Sequence, residues 1–110
     1  MENNELAIPK GLSKHGKRAA QVILNVLKKN KETHTGGCKA FYTPGEWRKR
    51  GEEYGLKSEL VVAHDGGDVA SYFNYDYEEY GRCDEMTNAL GSKGLFAEPC
   101  TSWYTAVYCL

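Results

Sequence analysis

The sequence predicts a small α+β domain, and three observations carry that prediction. At 110 residues and 41% apolar composition the chain has room for one modest core. Segments with helical spacing alternate with short apolar runs of strand length. The last sixteen residues, LFAEPCTSWYTAVYCL, are rich in aromatic and β-branched side chains and read as strands. The expected order is α-β-α-β-α-β-β, with a three- to four-stranded mixed or antiparallel sheet and its helices on one face. Residues 1–9 read as a flexible arm closed by Pro9, and 10–110 as the domain.

The first helix runs from Ser13 to about Lys31. Ser13 is a capping residue, and Ala19, Ala20, Ile23, Val26 and Leu27 fall on one face. THTGG ends it. Cys38–Thr43 alternates in part and reads as a strand. Thr43 and Glu46 then form the T-x-x-E capping box with Pro44 at the first helical position, so a second helix runs to about Tyr54, with Gly55 as its left-handed stop. ELVVAH, Glu59 to His64, is a continuous apolar run and reads as a central strand. DGGD turns the chain. A third helix is expected from about Asp76 to Leu90, with Tyr80, Cys83, Thr87 and Leu90 inward. Strands over Leu95–Glu98 and Trp103–Cys109 follow, joined by a turn at Pro99–Ser102. The terminal strand is too apolar to stand as a bare edge.

Composition removes several classes of function. No apolar run approaches the ~20 residues that a membrane-spanning helix needs. MENNELAIPK carries no apolar stretch of the secretory kind, so a cytoplasmic location is expected. Cys38, Cys83, Cys100 and Cys109 are scattered, without the close pairs of a zinc site, and read as free thiols. No cofactor or metal is expected. GLSKHGKR imitates a phosphate-binding loop, but Arg18 stands where Ser or Thr must hold magnesium, and no buried strand precedes it.

Charge is unevenly divided. Residues 1–51 carry 11 Lys and Arg against 4 acids, whereas 52–110 carry 3 against 11. Either the halves neutralise each other or the domain has a basic and an acidic face.

Three sites follow from these patterns. SYFNYDYEEY sets Tyr72, Tyr75 and Tyr77 among Asp76, Glu78 and Glu79, and periodicity can bury only about half of such a run. The remainder forms an aromatic-acidic surface suited to a protein partner, because tyrosine offers contact area and a polar tip at low entropic cost. The second candidate is His64, Asp65 and Asp68, a histidine and two carboxylates past the end of a buried strand, as a metal-assisted hydrolase would use; a plain turn is the competing reading. The third is a nucleic-acid surface formed by Lys14, Lys17, Arg18, Lys28 and Lys29 of the first helix.

The stretches TGGCKAFYTPGEWRKRGEEYG (Thr35–Gly55), VVAHDGGDVASYFNYDY (Val61–Tyr77) and EPCTSWYTAVY (Glu98–Tyr108) resemble short accessory proteins encoded in phages and prophages. The resemblance covers about two-thirds of the chain, from Thr35 onward, and carries no catalytic residue. It implies a protein that binds and modulates, by inhibition, a host protein or a defence complex. The favoured expectation is therefore a binding protein acting through Tyr72–Glu79.

Overall fold

A computed structural model describes residues 6–33 and 39–110. The elements are α1 (Lys14–Lys29), β1 (Phe41–Tyr42), α2 (Pro44–Arg50), β2 (Leu60–Ala63), α3 (Gly67–Phe73), α4 (Tyr80–Gly91), β3 (Leu95–Pro99) and β4 (Tyr104–Cys109), with a 3-10 turn at Tyr75–Tyr77 between α3 and α4. The strands form one antiparallel sheet in the order β1-β2-β4-β3. The domain is α+β, as the sequence predicts. β4 lies inside the sheet between β2 and β3, which resolves the problem of an apolar terminal edge. Of the arm, residues 1–5 lie outside the described residues; Leu6 is buried in the main core with Ile8 packed against it.

β2 explains the layering. Its four residues are all buried, and they alternate between faces. Leu60 and Val62 join Ile23, Leu27, Val69, Phe73, Met86 and Leu90 in the main core, under α1, α3 and α4. Val61 and Ala63 point the other way, into a second cluster with Trp47 and Tyr104. The helices are therefore not all on one face: α2 covers the opposite side, because Trp47 is its one buried side chain and needs an apolar surface of its own.

Each helix end has a local cause. Ser13 Oγ accepts from the Gly16 N–H at 3.0 Å and donates to the Glu59 carboxylate, tying the start of α1 to the start of β2. The approach there is close, since a Cβ on Gly16 would stand 2.3 Å from the Glu59 carbonyl oxygen. At α2 both halves of the capping box are formed, each at 3.0 Å. Burial would raise the Glu46 carboxyl, but the Thr43 N–H and the Lys39 ammonium outweigh it and hold the group below its usual value. α2 stops at Arg50, four residues before the expected end, because Gly51 already takes the left-handed conformation (φ 80°). Gly55 is left-handed as well (φ 81°), in the loop beyond. In the first-strand segment Cys38 lies outside the described residues, and pairing covers only Phe41 and Tyr42.

α3 was not anticipated. DGGD does turn the chain, with Gly66 and Gly67 at φ 105° and 74°, but the chain then enters a two-turn helix that buries Val69, Ala70, Tyr72 and Phe73. The following helix consequently begins at Tyr80 rather than Asp76. Its inward residues are Cys83, Met86 and Leu90, while Tyr80 and Thr87 are exposed.

Candidate functional site

The candidate site is the connection from α3 to α4. Asn74 ends α3 in an extended conformation, and its side chain does two things. The amide oxygen accepts from the Asp76 N–H at 2.9 Å, and Nδ2 donates to the Ser102 carbonyl at 3.1 Å. The 3-10 turn is thereby fixed both to itself and to the β3–β4 loop. Glu78 closes it from the left-handed region (φ 57°), donating its N–H to Tyr75 O at 3.0 Å. A non-glycine residue held there stores of order 1 kcal/mol of backbone strain, so the surrounding contacts impose the shape.

This turn sends its side chains outward. Tyr75, Tyr77 and Tyr80 are 48%, 49% and 55% exposed, and Asp76, Glu78 and Glu79 are exposed among them. Tyr72 is different. At 2% exposure it belongs to the core, with the Arg82 guanidinium 5.6 Å from its ring centroid, and it leaves the proposed partner surface. Tyr80 replaces it. Sequence periodicity placed Tyr80 inward only because the helix was started four residues early.

Charge at the site is largely uncompensated. Arg82 is committed to Glu32 at 2.6 Å and reaches Glu79 at only 3.9 Å. Among the described residues, Asp76, Glu78 and Asp84 enter no ion pair. Among the described residues, Lys29–Glu85 (3.2 Å) and the neighbouring Arg50–Glu52 (3.4 Å) join a cation of the first half to an acid of the second, and Arg82–Glu32 (2.6 Å) crosses the division the other way. Asp76, Glu78, Glu79 and Asp84 are all exposed, so the acids around this turn face water.

The histidine site is dispersed. His64 is 3% exposed, stacked on Phe73 at 5.5 Å, and its Nε2 lies 2.8 Å from Thr105 Oγ1. Nδ1 is buried without a hydrogen-bond partner. Burial pushes its pKa down to about 4, against smaller opposing effects of the local backbone and Asp65, so the ring is neutral at neutral pH. A base must reach its substrate, and this ring faces the core. Asp65 is exposed, while Asp68 sits half-buried in the first turn of α3. Among the described residues no group of three His, Cys, Asp or Glu side chains could hold a metal ion. Cys83 is buried and Cys100 half-buried, and burial raises both thiols.

The basic helix is exposed where expected, but its cations form two groups. Lys14, Lys17 and Arg18 are at its start and Lys28 and Lys29 at its end, roughly 15 Å apart along the axis. Lys29 is already paired with Glu85 at 3.2 Å.

Sequence reasoning missed an aromatic layer on the far face of the sheet. Trp47 packs against Tyr42, Tyr104 and Trp103 with ring centroids 4.9–5.6 Å apart, and the Arg50 guanidinium lies 4.6 Å from the Trp47 ring centroid. Two widely separated tryptophans give no pairing signal until the topology joins them. The layer is structural: Trp47 is fully buried and Tyr104 is 1% exposed.

No family model matches the chain, and neither a curated protein nor a solved structure matches it. No helix of the described residues is long and apolar enough to cross a membrane.

Proposed function

We propose that this protein works by binding a protein partner through the surface of Tyr75, Asp76, Tyr77, Glu78, Glu79 and Tyr80. In the phage setting that the sequence resemblance implies, the partner is a host protein or defence complex in the bacterial cytoplasm, and binding inhibits it by occluding a site. The observation that carries the reading is three half-exposed tyrosines, two on a hydrogen-bonded turn and one at the start of α4, beside Asp76 and Glu78, which enter no ion pair among the described residues. An ordered turn limits the entropy lost on binding, and aromatic side chains dominate the energetics of interfaces. The acids favour a basic patch on the partner and speed encounter with it.

The test is capture from bacterial lysate with the wild type and with a variant carrying Tyr75→Ala and Tyr77→Ala, at low and moderate salt, followed by titration of the purified partner. Removing two interface tyrosines is expected to cost at least about 2 kcal/mol of binding, roughly thirtyfold in Kd. Thermal stability should hardly change, since neither side chain is in the core. Asp68→Ala should leave binding unaltered. Equal binding by the tyrosine variant removes the reading. Recovery of nucleic acid alone, lost when Lys14, Lys17 and Arg18 are neutralised, replaces it with the α1 surface.

A further inference from the structure

One buried side chain lies under both anchors of the partner turn. The His64 ring stacks on Phe73 with centroids 5.5 Å apart and planes 13° apart, and its Nε2 lies 2.8 Å from Thr105 Oγ1. Its main-chain N–H donates to Trp103 O at 2.8 Å. Phe73 is the last residue of α3. Asn74, which follows, fastens the 3-10 turn to the same β3–β4 loop by donating to Ser102 O at 3.1 Å. His64 therefore touches the helix end that launches the turn and the loop to which the turn is tied. The turn itself buries no side chain, and Glu78 sits in the left-handed region (φ 57°), so the anchors impose its shape.

The ring is enclosed in a form that suits only its neutral state. Phe73 from α3 and Thr105 from β4 flank it, and neither carries a charge. Thr105 Oγ1 can accept from Nε2–H, but a protonated ring brings a second donor at Nδ1, which is buried without a partner. Asp65, next in the chain, is the ionised group whose field favours protonation, and burial outweighs it; Asp68 stands in the first turn of α3. Wetting Nδ1 requires that a wall move. The sheet side is held by four paired residues, Leu60–Ala63 against Tyr104–Val107. The wall that can give is Phe73, at the end of a seven-residue helix, together with the loop at Ser102 and Trp103. The folded value of about 4 lies below the ordinary 6.5, so the enclosed ring is favoured above about pH 6.5 and loses ground as pH falls towards 4. Between pH 7 and 5 the ratio of released to clamped molecules should rise about twentyfold.

Building on the binding role proposed above, we infer that His64 is a positioning residue for the partner surface: its neutral ring clamps Phe73 to the β3–β4 loop and so holds the Tyr75–Tyr77 turn, and protonation of the ring releases that turn. The partner surface is thereby coupled to acid through a residue that no partner touches.

The test uses the whole free protein, 15N-labelled, and needs no partner. Amide relaxation dispersion at pH 7, 6 and 5 reads the population of a minor, released state residue by residue. Exchange is expected at Asn74–Glu78 and at Ser102–Tyr104, with a population that rises about twentyfold from pH 7 to 5, while amides of α1 such as Ile23 and Leu27 stay quiet. His64→Gln keeps a hydrogen-bonding group near Thr105 but takes up no proton, and should flatten the response. The wild-type series decides alone should that variant misfold. Exchange at the turn that ignores pH, exchange that rises equally in α1, or an unchanged response in a folded His64→Gln protein would each overturn the inference. A lysate partner lost with Tyr75→Ala and Tyr77→Ala, beside a turn indifferent to pH, would overturn the clamp while leaving the tyrosine surface standing. A turn that loosens as expected in a protein that captures no partner would remove the binding role while leaving the clamp standing.

Discussion

Acid should weaken this fold through one residue before its carboxylates contribute. His64 is enclosed by Phe73 and Thr105, and the site offers its ring one hydroxyl partner, at Nε2, and none at Nδ1. Protonation would add a second donor and a charge to a buried space, which is why burial lowers the pKa from 6.5 to about 4. The folded value lies below the unfolded one, so as pH falls the unfolded chain takes up the proton first. The stabilisation is complete above about pH 6.5, is lost progressively between 6.5 and 4, and changes little further below that. At about 1.36 kcal/mol per pKa unit, the span is worth on the order of 3 kcal/mol, a large part of the stability of a domain this size. Glu46 and Glu85 carry lowered values, so their contributions fade below about pH 4.5 and barely overlap the window. Urea unfolding at half-unit steps from pH 7.5 to 4, followed by fluorescence of Trp47 and Trp103, reads the slope. His64→Gln should flatten it over 6.5–4 whatever its constant offset. An NMR titration of the wild-type ring near 6.5, or an unchanged slope in the variant, would refute the reasoning.

Other outcomes follow from the packing. Gly16→Ala places a methyl 2.3 Å from a main-chain oxygen of Glu59, so α1 and β2 must separate; a loss of about 1–3 kcal/mol by urea titration is expected, although alanine is the better helix former. Thr43→Ala opens the capping box of a seven-residue helix and should cost about 1 kcal/mol. Trp47→Ala empties the second core and should cost about 3–5 kcal/mol in the same assay. Lys29→Ala breaks an exposed pair with Glu85 and should change thermal stability by less than about 1 kcal/mol.

The sequence was most legible where a local rule acts alone. The capping box at Thr43 and Glu46, the Ser13 cap and the apolar run of β2 each depend on neighbours a few residues away, and each stands where the spacing placed it. Ends were harder, because both Gly51 and Gly55 could stop α2 and the nearer one does. α3 was hidden because Gly66 and Gly67 look only like a turn, and its seven residues carry too little periodicity to register as a helix. That omission shifted α4 and exchanged Tyr72 with Tyr80. The crowding of tyrosine and acid was visible, but which tyrosines face water depends on the helix phase. The placement of α2 on the opposite face could not be read at all, since it needs the alternation of β2 combined with the docking of Trp47.

The proposed partner surface is Tyr75–Tyr80. The most direct measurement places a photo-crosslinking amino acid at position 77 and, separately, at position 14, in protein expressed in bacteria. A single host protein crosslinked from position 77, and not from 14, is the predicted result. Crosslinking from 14 to nucleic acid, with nothing captured from 77, would contradict the account.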